Sequence, residues 1–339
     1  MIKFSVIIPV RKITDFLQES IAHLKKVNYE NFEVIIVTDN QENFDFGGDR
    51  KFIFMDSQGS GNPCLKRNLA VKRASGNVVV FLDDDAYPSR DWLNWAQEDF
   101  SDPTVYALGG PAITPPNVTF LEKMSGYVLE SWLSSGGTAY RHKENSARKI
   151  DDYPTVNLFV RKTAFESVGG FILDFWPGED TKLSLDLVKK YGRKFLYDPR
   201  PVVYHHRRFL FGPHLKQISR YGKHRGQFAR LYPETSRKFS YFTPSLFLTG
   251  LVLGPFSFVL SATFKLLYFC VLWLYVGLLL AEGAKVYQKE NSVKAAVYVM
   301  AGILLTHLVY GANFIVGFIK RPTLQLKAVD KKTGNYSEG

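Results

Sequence analysis

The chain has 339 residues, enough for two domains, and 46% of them are hydrophobic, so a sizeable core can be buried. A formal net charge of +11 admits nucleic acid, an anionic membrane surface or phosphorylated small molecules as partners, and equally a solvated basic surface. Two widely separated cysteines, Cys64 and Cys270, exclude a disulfide framework and a cysteine-rich zinc site and fit a reducing compartment.

The first apolar run is too short for a signal peptide and ends at Pro9 and Arg11, so the N-terminal part is expected in the cytosol. Residues 4–10 are β-rich and predict a buried strand. Thr14 can cap a helix carrying Phe16, Leu17, Ile21 and Leu24 on one face. Further strands are predicted at 34–37, 52–55 and 78–82, with a helix over 65–74 ended by Gly76. This alternation predicts an α/β domain, a mostly parallel, Rossmann-like sheet with helices on both faces. Ligands of such sheets sit beyond the carboxyl ends of the strands, so the polar residues just after each strand matter most. Residues 115–117 read as a turn, and 134–152, rich in Ser, Gly and charge, as a mobile loop.

The strongest local signal is Val78-Val79-Val80-Phe81-Leu82-Asp83-Asp84-Asp85, a buried strand delivering three consecutive carboxylates to the sheet edge. Clustered carboxylates repel unless a cation compensates, and a hard divalent ion takes oxygen ligands and bridges carboxylates to phosphates. Residues one and three of an extended segment point the same way, so Asp83 and Asp85 could share a site. A solvated acidic turn explains the motif alone equally well. Asp39 ends the second strand, where a carboxylate can accept from a base or ribose, although Asp-Asn is also ordinary turn chemistry. Lys66-Arg67-Asn68 open a helix well placed to meet phosphate oxygens, or simply expose a basic face.

Glu179 and Asp180, after Gly178, begin an amphipathic helix closed by Gly192; an ionised carboxylate fixed there makes a good general base, or simply caps the helix. Tyr204-His205-His206-Arg207-Arg208 ends a strand in two imidazoles, which can ligate metal, and two guanidiniums, which can bind diphosphate. Gln217, Arg220 and Tyr221, followed by Lys223, His224 and Arg225, lie in a basic amphipathic segment that anionic lipid would also attract.

Beyond about residue 235 three long uncharged spans follow, 241–263, 266–281 and 295–319. The first and third comfortably meet the ~20 apolar residues of a spanning helix. The middle one is marginal: it could cross, re-enter or lie at the interface. The expected organisation is 1–235 as the α/β domain, 236–320 as membrane helices and 321–339 as a polar basic tail. Three crossings would put Lys320, Arg321 and Lys327 outside, which the positive-inside rule disfavours, whereas two crossings plus one interfacial segment would keep them inside; the basic loop with Lys285, Lys289 and Lys294 leaves the count open.

Taken together these residues resemble the family-2 glycosyltransferases of the GT-A fold. The elements are Ser5-Val6-Ile7-Ile8-Pro9-Val10, Lys66-Arg67-Asn68-Leu69-Ala70 with Ala74-Ser75-Gly76, Phe81 to Asp85, Asn157 to Lys162, Val168-Gly169-Gly170-Phe171 and Gly178-Glu179-Asp180, in that order. His307-x-x-Tyr310-Gly311 with Phe318 is similar to the membrane end of bacterial and archaeal members. The resemblance implies that Pro9, Val10 and Arg11 line the nucleotide pocket, Asp39 binds the base, and Arg67 sits near base or phosphates. It implies Asp83 near the donor's ribose, Asp85 on Mn²⁺ or Mg²⁺, and Asp180 as catalytic base with Glu179 beside it; Asp84 is assigned to the donor as well, and His205, an imidazole able to ligate metal, to the same ion as Asp85. Gln217-x-x-Arg220-Tyr221 is similar to a Gln-x-x-Arg-Trp motif that binds diphosphate and acceptor; Tyr221 replaces its Trp, which argues against processive synthesis.

The expectation is therefore a multi-pass cell-membrane enzyme with a cytoplasmic catalytic domain. It would move a sugar with inversion from a nucleotide-diphosphate sugar to a lipid-linked or glycan acceptor. Membrane lipid is an expected partner, a homo-oligomer is compatible, and no zinc, helix-turn-helix or RNA-recognition pattern points to nucleic acid. The competing readings are a nucleotidyltransferase that makes the nucleotide sugar and a non-catalytic nucleotide-binding membrane scaffold. Val10 to Phe16 lacks the glycine-rich loop of the former, and intact Asp83, Asp85 and Asp180 count against the latter.

Overall fold

Strand β1, Phe4–Pro9, is buried along almost its whole length because parallel neighbours flank it and helices cover both faces. It pairs in parallel with β2, Phe32–Thr38, on one side. On the other side lies β4, Val78–Leu82. β3, Phe52–Asp56, extends the sheet beyond β2. The computed structural model describes residues 1–42, 44–45, 47–173, 177–259 and 261–320. The tail expected at 321–339, with Arg321 and Lys327, lies outside the described residues.

Alternation along each strand decides what each face receives. Phe4, Val6, Ile8, Val34, Ile36, Val78, Val80 and Leu82 form one cluster with α1, Asp15–Leu24, and with a helix after β4. Thr14 caps α1 as expected, its hydroxyl accepting from Leu17 N at 3.2 Å, but Phe16 is exposed; the buried stripe is Leu17, Ser20, Ile21 and Leu24. Each fully buried aliphatic or aromatic side chain is worth about 1.5–3 kcal/mol. α2, Pro63–Arg73, capped by Asn62, packs near β1 and β2 and buries Cys64, Ala70 and Val71.

The Ala74-Ser75-Gly76 stretch has a structural role. Glu33 accepts from Ser5 Oγ at 2.6 Å and from Ser75 N and Oγ at 2.7 and 2.8 Å. Burial would raise the Glu33 pKa, but these bonds win and hold it below the usual value. A Cβ at Gly76 would stand 2.6 Å from Ser5 Oγ and 2.8 Å from Lys3 O, so glycine is required.

The chain divides into two compact units. The first holds Met1–Pro115 and Lys143–His205. It continues after β4 with β5, Ala86–Pro88, α3, Trp92–Phe100, β6, Ala107–Gly109, and β7, Ala112–Ile113. After residue 143 come β8, Arg148–Lys149, β9, Asn157–Arg161, α6, Lys162–Ser167, α7, Glu179–Tyr191, β10, Phe195–Tyr197, and β11, Val203–His205. An eight-stranded sheet runs β3-β2-β1-β4-β9-β6-β10-β8, and β9 enters it antiparallel to both neighbours. A small sheet runs β5-β11-β7. The segment expected as a mobile loop carries a 3₁₀ turn, Gly136–Arg141, and β8.

The second unit holds Pro116–His142 and the residues from His206 onward. Its helices are α4, Phe120–Glu130, α5, Trp132–Ser135, α8, Gly212–Leu231, α9, Pro233–Ser236, α10, Phe239–Leu253, α11, Ala262–Glu290, and α12, Val293–Ile319. Among the described residues three stretches, Phe239–Val259, α11 and α12, are long and apolar enough to cross a membrane. The middle span, marginal in sequence, is the core of the 29-residue α11.

Asp99 on α3 offers a pH test away from the site. Burial, then repulsion from Asp198, pushes its carboxyl up to about 7; Arg200, bonded to Asp198 at 2.7 Å, keeps Asp198 low instead. Between about pH 4, its unfolded value, and pH 7 the folded chain holds a proton the unfolded chain does not, so stability falls as pH rises through that window. Asp99→Asn removes the penalty. Its unfolding midpoint is expected to match the parent at pH 4 and exceed it by several degrees at pH 8; a gap independent of pH would contradict the assignment.

Candidate active site

The parallel register β2-β1-β4 places Pro9, Asp39 and Asp83 along one carboxyl edge of the sheet, since Pro9 pairs with Val37 and Ile7 with Phe81. Backbone bonds tie the turns together: Val10 N donates to Val37 O at 2.9 Å and Asp39 N to Arg11 O at 3.2 Å. Val10 is buried and Arg11 exposed.

α2 lays two cations across this edge, and both are buried rather than solvated. Lys66 Nζ donates to Val10 O at 2.7 Å and pairs with Asp39. Burial lowers the Lys66 pKa against the pull of Asp39, with Asp84 near enough to add to that pull. Arg67 Nη1 meets Glu179 Oε1 at 3.0 Å, and its Nη2 meets Thr155 Oγ1 at 2.9 Å and Asp83 Oδ1 at 3.2 Å. Its guanidinium also lies over the Phe171 ring, 5.5 Å from the centroid. Burial pushes Asp83 and Glu179 up, and Arg67 opposes it in each. Burial alone would depress Arg67; Glu179 and then Asp83 outweigh it and raise its pKa.

The antiparallel pairing of β11 with β5 sets His205 opposite Ala86, hence beside Asp85. His205 Nε2 lies 3.1 Å from Asp85 Oδ1. One ligand atom each from Asp83, Asp85 and His205 falls within 4.8 Å of the others, and all three residues are part-exposed. Two carboxylate oxygens and an imidazole within that span suit a divalent cation. The neighbouring His206 turns elsewhere, with Nδ1 2.8 Å from Glu122 Oε1 inside the second unit.

Gly178 enters α7 at φ 115°, a backbone that favours glycine. Glu179 is buried, accepting from Gly178 N at 3.0 Å besides Arg67. Asp180 is less buried and accepts from Thr181 N at 2.7 Å; its charge reaches Arg67 and Cys64. The first unit therefore joins Asp39, Lys66, Arg67, Asp83, Asp85, Thr155, Glu179, Asp180 and His205 through direct contacts or near charges. Gln217, Arg220 and Tyr221 belong to the second unit, on α8, where Gln217 Nε2 donates to Tyr221 OH at 3.0 Å.

Sequence reasoning missed Thr155 and the internal role of Lys66. Thr155 carries no local signal. For Lys66 the signal was a lysine directly before a buried arginine in a helix lying on a sheet edge. Removing the shared cation exposes the cost of this network: breaking a buried pair costs about 3–5 kcal/mol. Arg67→Met is expected to destabilise by that order, with Glu179→Gln in the same chain restoring part of the loss; additive losses in thermal unfolding would disprove the pairing.

A mixed sheet of this order, with carboxylates at its carboxyl edge and a helical region following, defines a GT-A type α/β enzyme. The profile of glycosyl transferase family 2 matches residues 5–169. Glycosyltransferase AglE of Haloferax volcanii is 30% identical over 232 residues, 65% of this chain and 71% of that protein. The chain belongs to glycosyl transferase family 2 and is a glycosyltransferase of the nucleotide-sugar class. The pre-mycofactocin glycosyltransferase of Mycobacterium tuberculosis is 27% identical over 68% of this chain, which spans only 48% of that protein. In fold the chain is similar to the mannosyltransferase PcManGT from Pyrobaculum calidifontis, solved with GDP-Man and Mn²⁺, at TM-score 0.59 and 16% identity, covering 95% of this chain and 88% of the other. It is also similar to residues 1–349 of Staphylococcus aureus TarS with UDP-GlcNAc, at TM-score 0.50 and 15% identity, covering 94% and 93%.

Proposed function

We propose that this protein transfers a sugar, with inversion, from a nucleotide-diphosphate sugar to a lipid-linked acceptor at the cytosolic face of a membrane. The observation that carries the reading is the Asp83–Asp85–His205 cluster, linked through Arg67 to the start of α7, where Asp180 stands. Asp85 and His205, with Asp83, would hold Mn²⁺ or Mg²⁺, which when bound supplies charge stabilisation to the departing diphosphate. Asp39 and the Pro9–Arg11 turn are assigned to the nucleoside, Asp84 to the donor.

Asp180 is assigned as general base. It takes the proton of the acceptor hydroxyl as that oxygen bonds to the anomeric carbon, and the bond from that carbon to the diphosphate oxygen breaks, releasing nucleoside diphosphate. The helix start favours its ionised form. Arg67 and Glu179 orient rather than react, because they are buried on each other. Gln217, Arg220 and Tyr221 on α8 are assigned to diphosphate and acceptor.

The long apolar helices of the second unit support a membrane-resident acceptor such as a polyprenyl phosphate or a lipid-linked oligosaccharide. The test is a screen of nucleotide sugars with Mn²⁺ and membrane lipid extract, following nucleoside diphosphate release. Release with one donor, stimulated by the extract, is expected. Pyrophosphate release would favour the nucleotidyltransferase reading, and no release with any donor would sink the proposal.

A further inference from the structure

Asn68, the last residue of Lys66-Arg67-Asn68, and the stretch Val168-Gly169-Gly170-Phe171 stand far apart in sequence and meet in the first unit. Asn68 Nδ2 donates to Phe171 O at 2.8 Å, and Asn68 Oδ1 accepts from Phe171 N at 3.0 Å. A side-chain amide offers both a donor and an acceptor, so it can meet both backbone groups of one residue. Phe171 lies in neither helix nor strand, and backbone groups buried outside such elements need partners of this kind.

The surroundings aim Phe171 at this contact. Gly169 and Gly170 take φ of 83° and 73°, a left-handed backbone that turns the chain out of α6. A Cβ at Gly170 would stand 2.9 Å from Asn68 Oδ1 and 2.9 Å from the Phe165 ring. The buried Phe171 ring packs edge-on against Phe81 of β4, with centroids 5.1 Å apart, and against Phe165 at 5.4 Å. Phe81 belongs to the strand that ends in Asp83–Asp85.

α2 therefore holds both ends of the stretch that leads into α7. At the near end Asn68 grips Phe171, and Asn62 Nδ2, from the cap of α2, donates to Leu173 O at 3.4 Å. At the far end Arg67 Nη1 meets Glu179 Oε1 at 3.0 Å, and Asp180 is the next residue. A single ion pair would let the start of α7 pivot about it. A second attachment on the same rigid helix removes that pivot.

We propose that Asn68 is a positioning residue for sugar transfer: through the Phe171 backbone it sets the start of α7, and with it the Asp180 carboxylate, against the acidic strand end. The inference rests on the assignment of Asp180 as general base and names what aims that base. It acts on turnover rather than on donor capture, because the strand register, and not Asn68, sets Asp39 and Asp83.

The test uses the full-length protein carrying Asn68→Ala, alone and combined with Asp180→Asn. Nucleoside diphosphate release gives kcat, and calorimetry gives donor affinity. Asn68→Ala is expected to lower kcat by about 10–100-fold with donor affinity unchanged, since a misplacement of about 1 Å can cost about 10²-fold. In the Asp180→Asn background the same change is expected to cost nothing further, because groups that act as one unit are not additive. A merely structural role would cost the same factor in both backgrounds, and that result overturns the proposal; so does parental kcat in Asn68→Ala. Either outcome leaves the assignment of Asp180 standing, whereas parental turnover in Asp180→Asn alone overturns both. If Asn68→Ala does not fold, Asn68→Asp carries the same comparison at equal size: it keeps the acceptor for Phe171 N and sets an oxygen against Phe171 O.

Discussion

Asp180→Asn is expected to bind the donor sugar nucleotide like the parent and to lose transfer by about 10²–10⁴-fold, the usual contribution of a general base. Asparagine keeps the shape of the side chain and the acceptor oxygen that meets Thr181 N at 2.7 Å, so the start of α7 should hold. What disappears is the ionised oxygen that could take the acceptor proton. Glu179 cannot substitute, because its carboxylate is buried and committed to Arg67 Nη1 at 3.0 Å and to Gly178 N. Donor binding by calorimetry and turnover by nucleoside diphosphate release separate the two effects. Parental turnover in Asp180→Asn would remove Asp180 from the chemistry.

Asp85→Ala is expected to abolish the part of donor binding that depends on divalent metal, and with it turnover. Asp85 is the acidic residue that pairs with His205, 3.1 Å away, whereas Asp83 is already shared with Arg67 at 3.2 Å. Removing Asp85 leaves one carboxylate partly neutralised by a guanidinium, a poor site for a hard cation. His205→Ala should act in the same direction and more weakly, since imidazole is the softer ligand of the set. The measurement is nucleoside diphosphate affinity with and without Mn²⁺: the parent should gain affinity with the metal, and Asp85→Ala should not. Equal metal stimulation in both would place the cation elsewhere.

The parts of the site that lie at strand ends were legible in the sequence. A β-rich run followed by a carboxylate needs no distant partner to be recognised, and Asp39 and Asp83–Asp85 all emerge where the parallel register sends them. The basic opening of α2 was harder. Lys-Arg at the start of a helix is usually a solvated face, but here Lys66 is 2% exposed and Arg67 5%. Their partners, Asp39 and Glu179, stand 27 and 112 residues away in the chain, beyond the reach of any local pattern.

The C-terminal helices show the same division. Length and apolarity mark α11 and α12 alike as candidate spans, because hydropathy counts side chains and not neighbours; only the tertiary structure shows that α12 is the more deeply covered by protein. The glycines that let α8 reach its backbone, Gly222, Gly226 and Gly317, read in sequence only as weak points of a helix.

By itself the sequence determined the α/β class, the order of strands and helices through β4, the acidic strand end and the apolar character of the last third. Those properties follow from side-chain period and local chemistry, which each segment carries alone. Only the tertiary structure decided which charges are neutralised, that His205 and not His206 stands beside Asp85, and which apolar helix is covered by protein. Those depend on pairing between segments far apart in the chain, where burial turns a charge without a partner from neutral into costly.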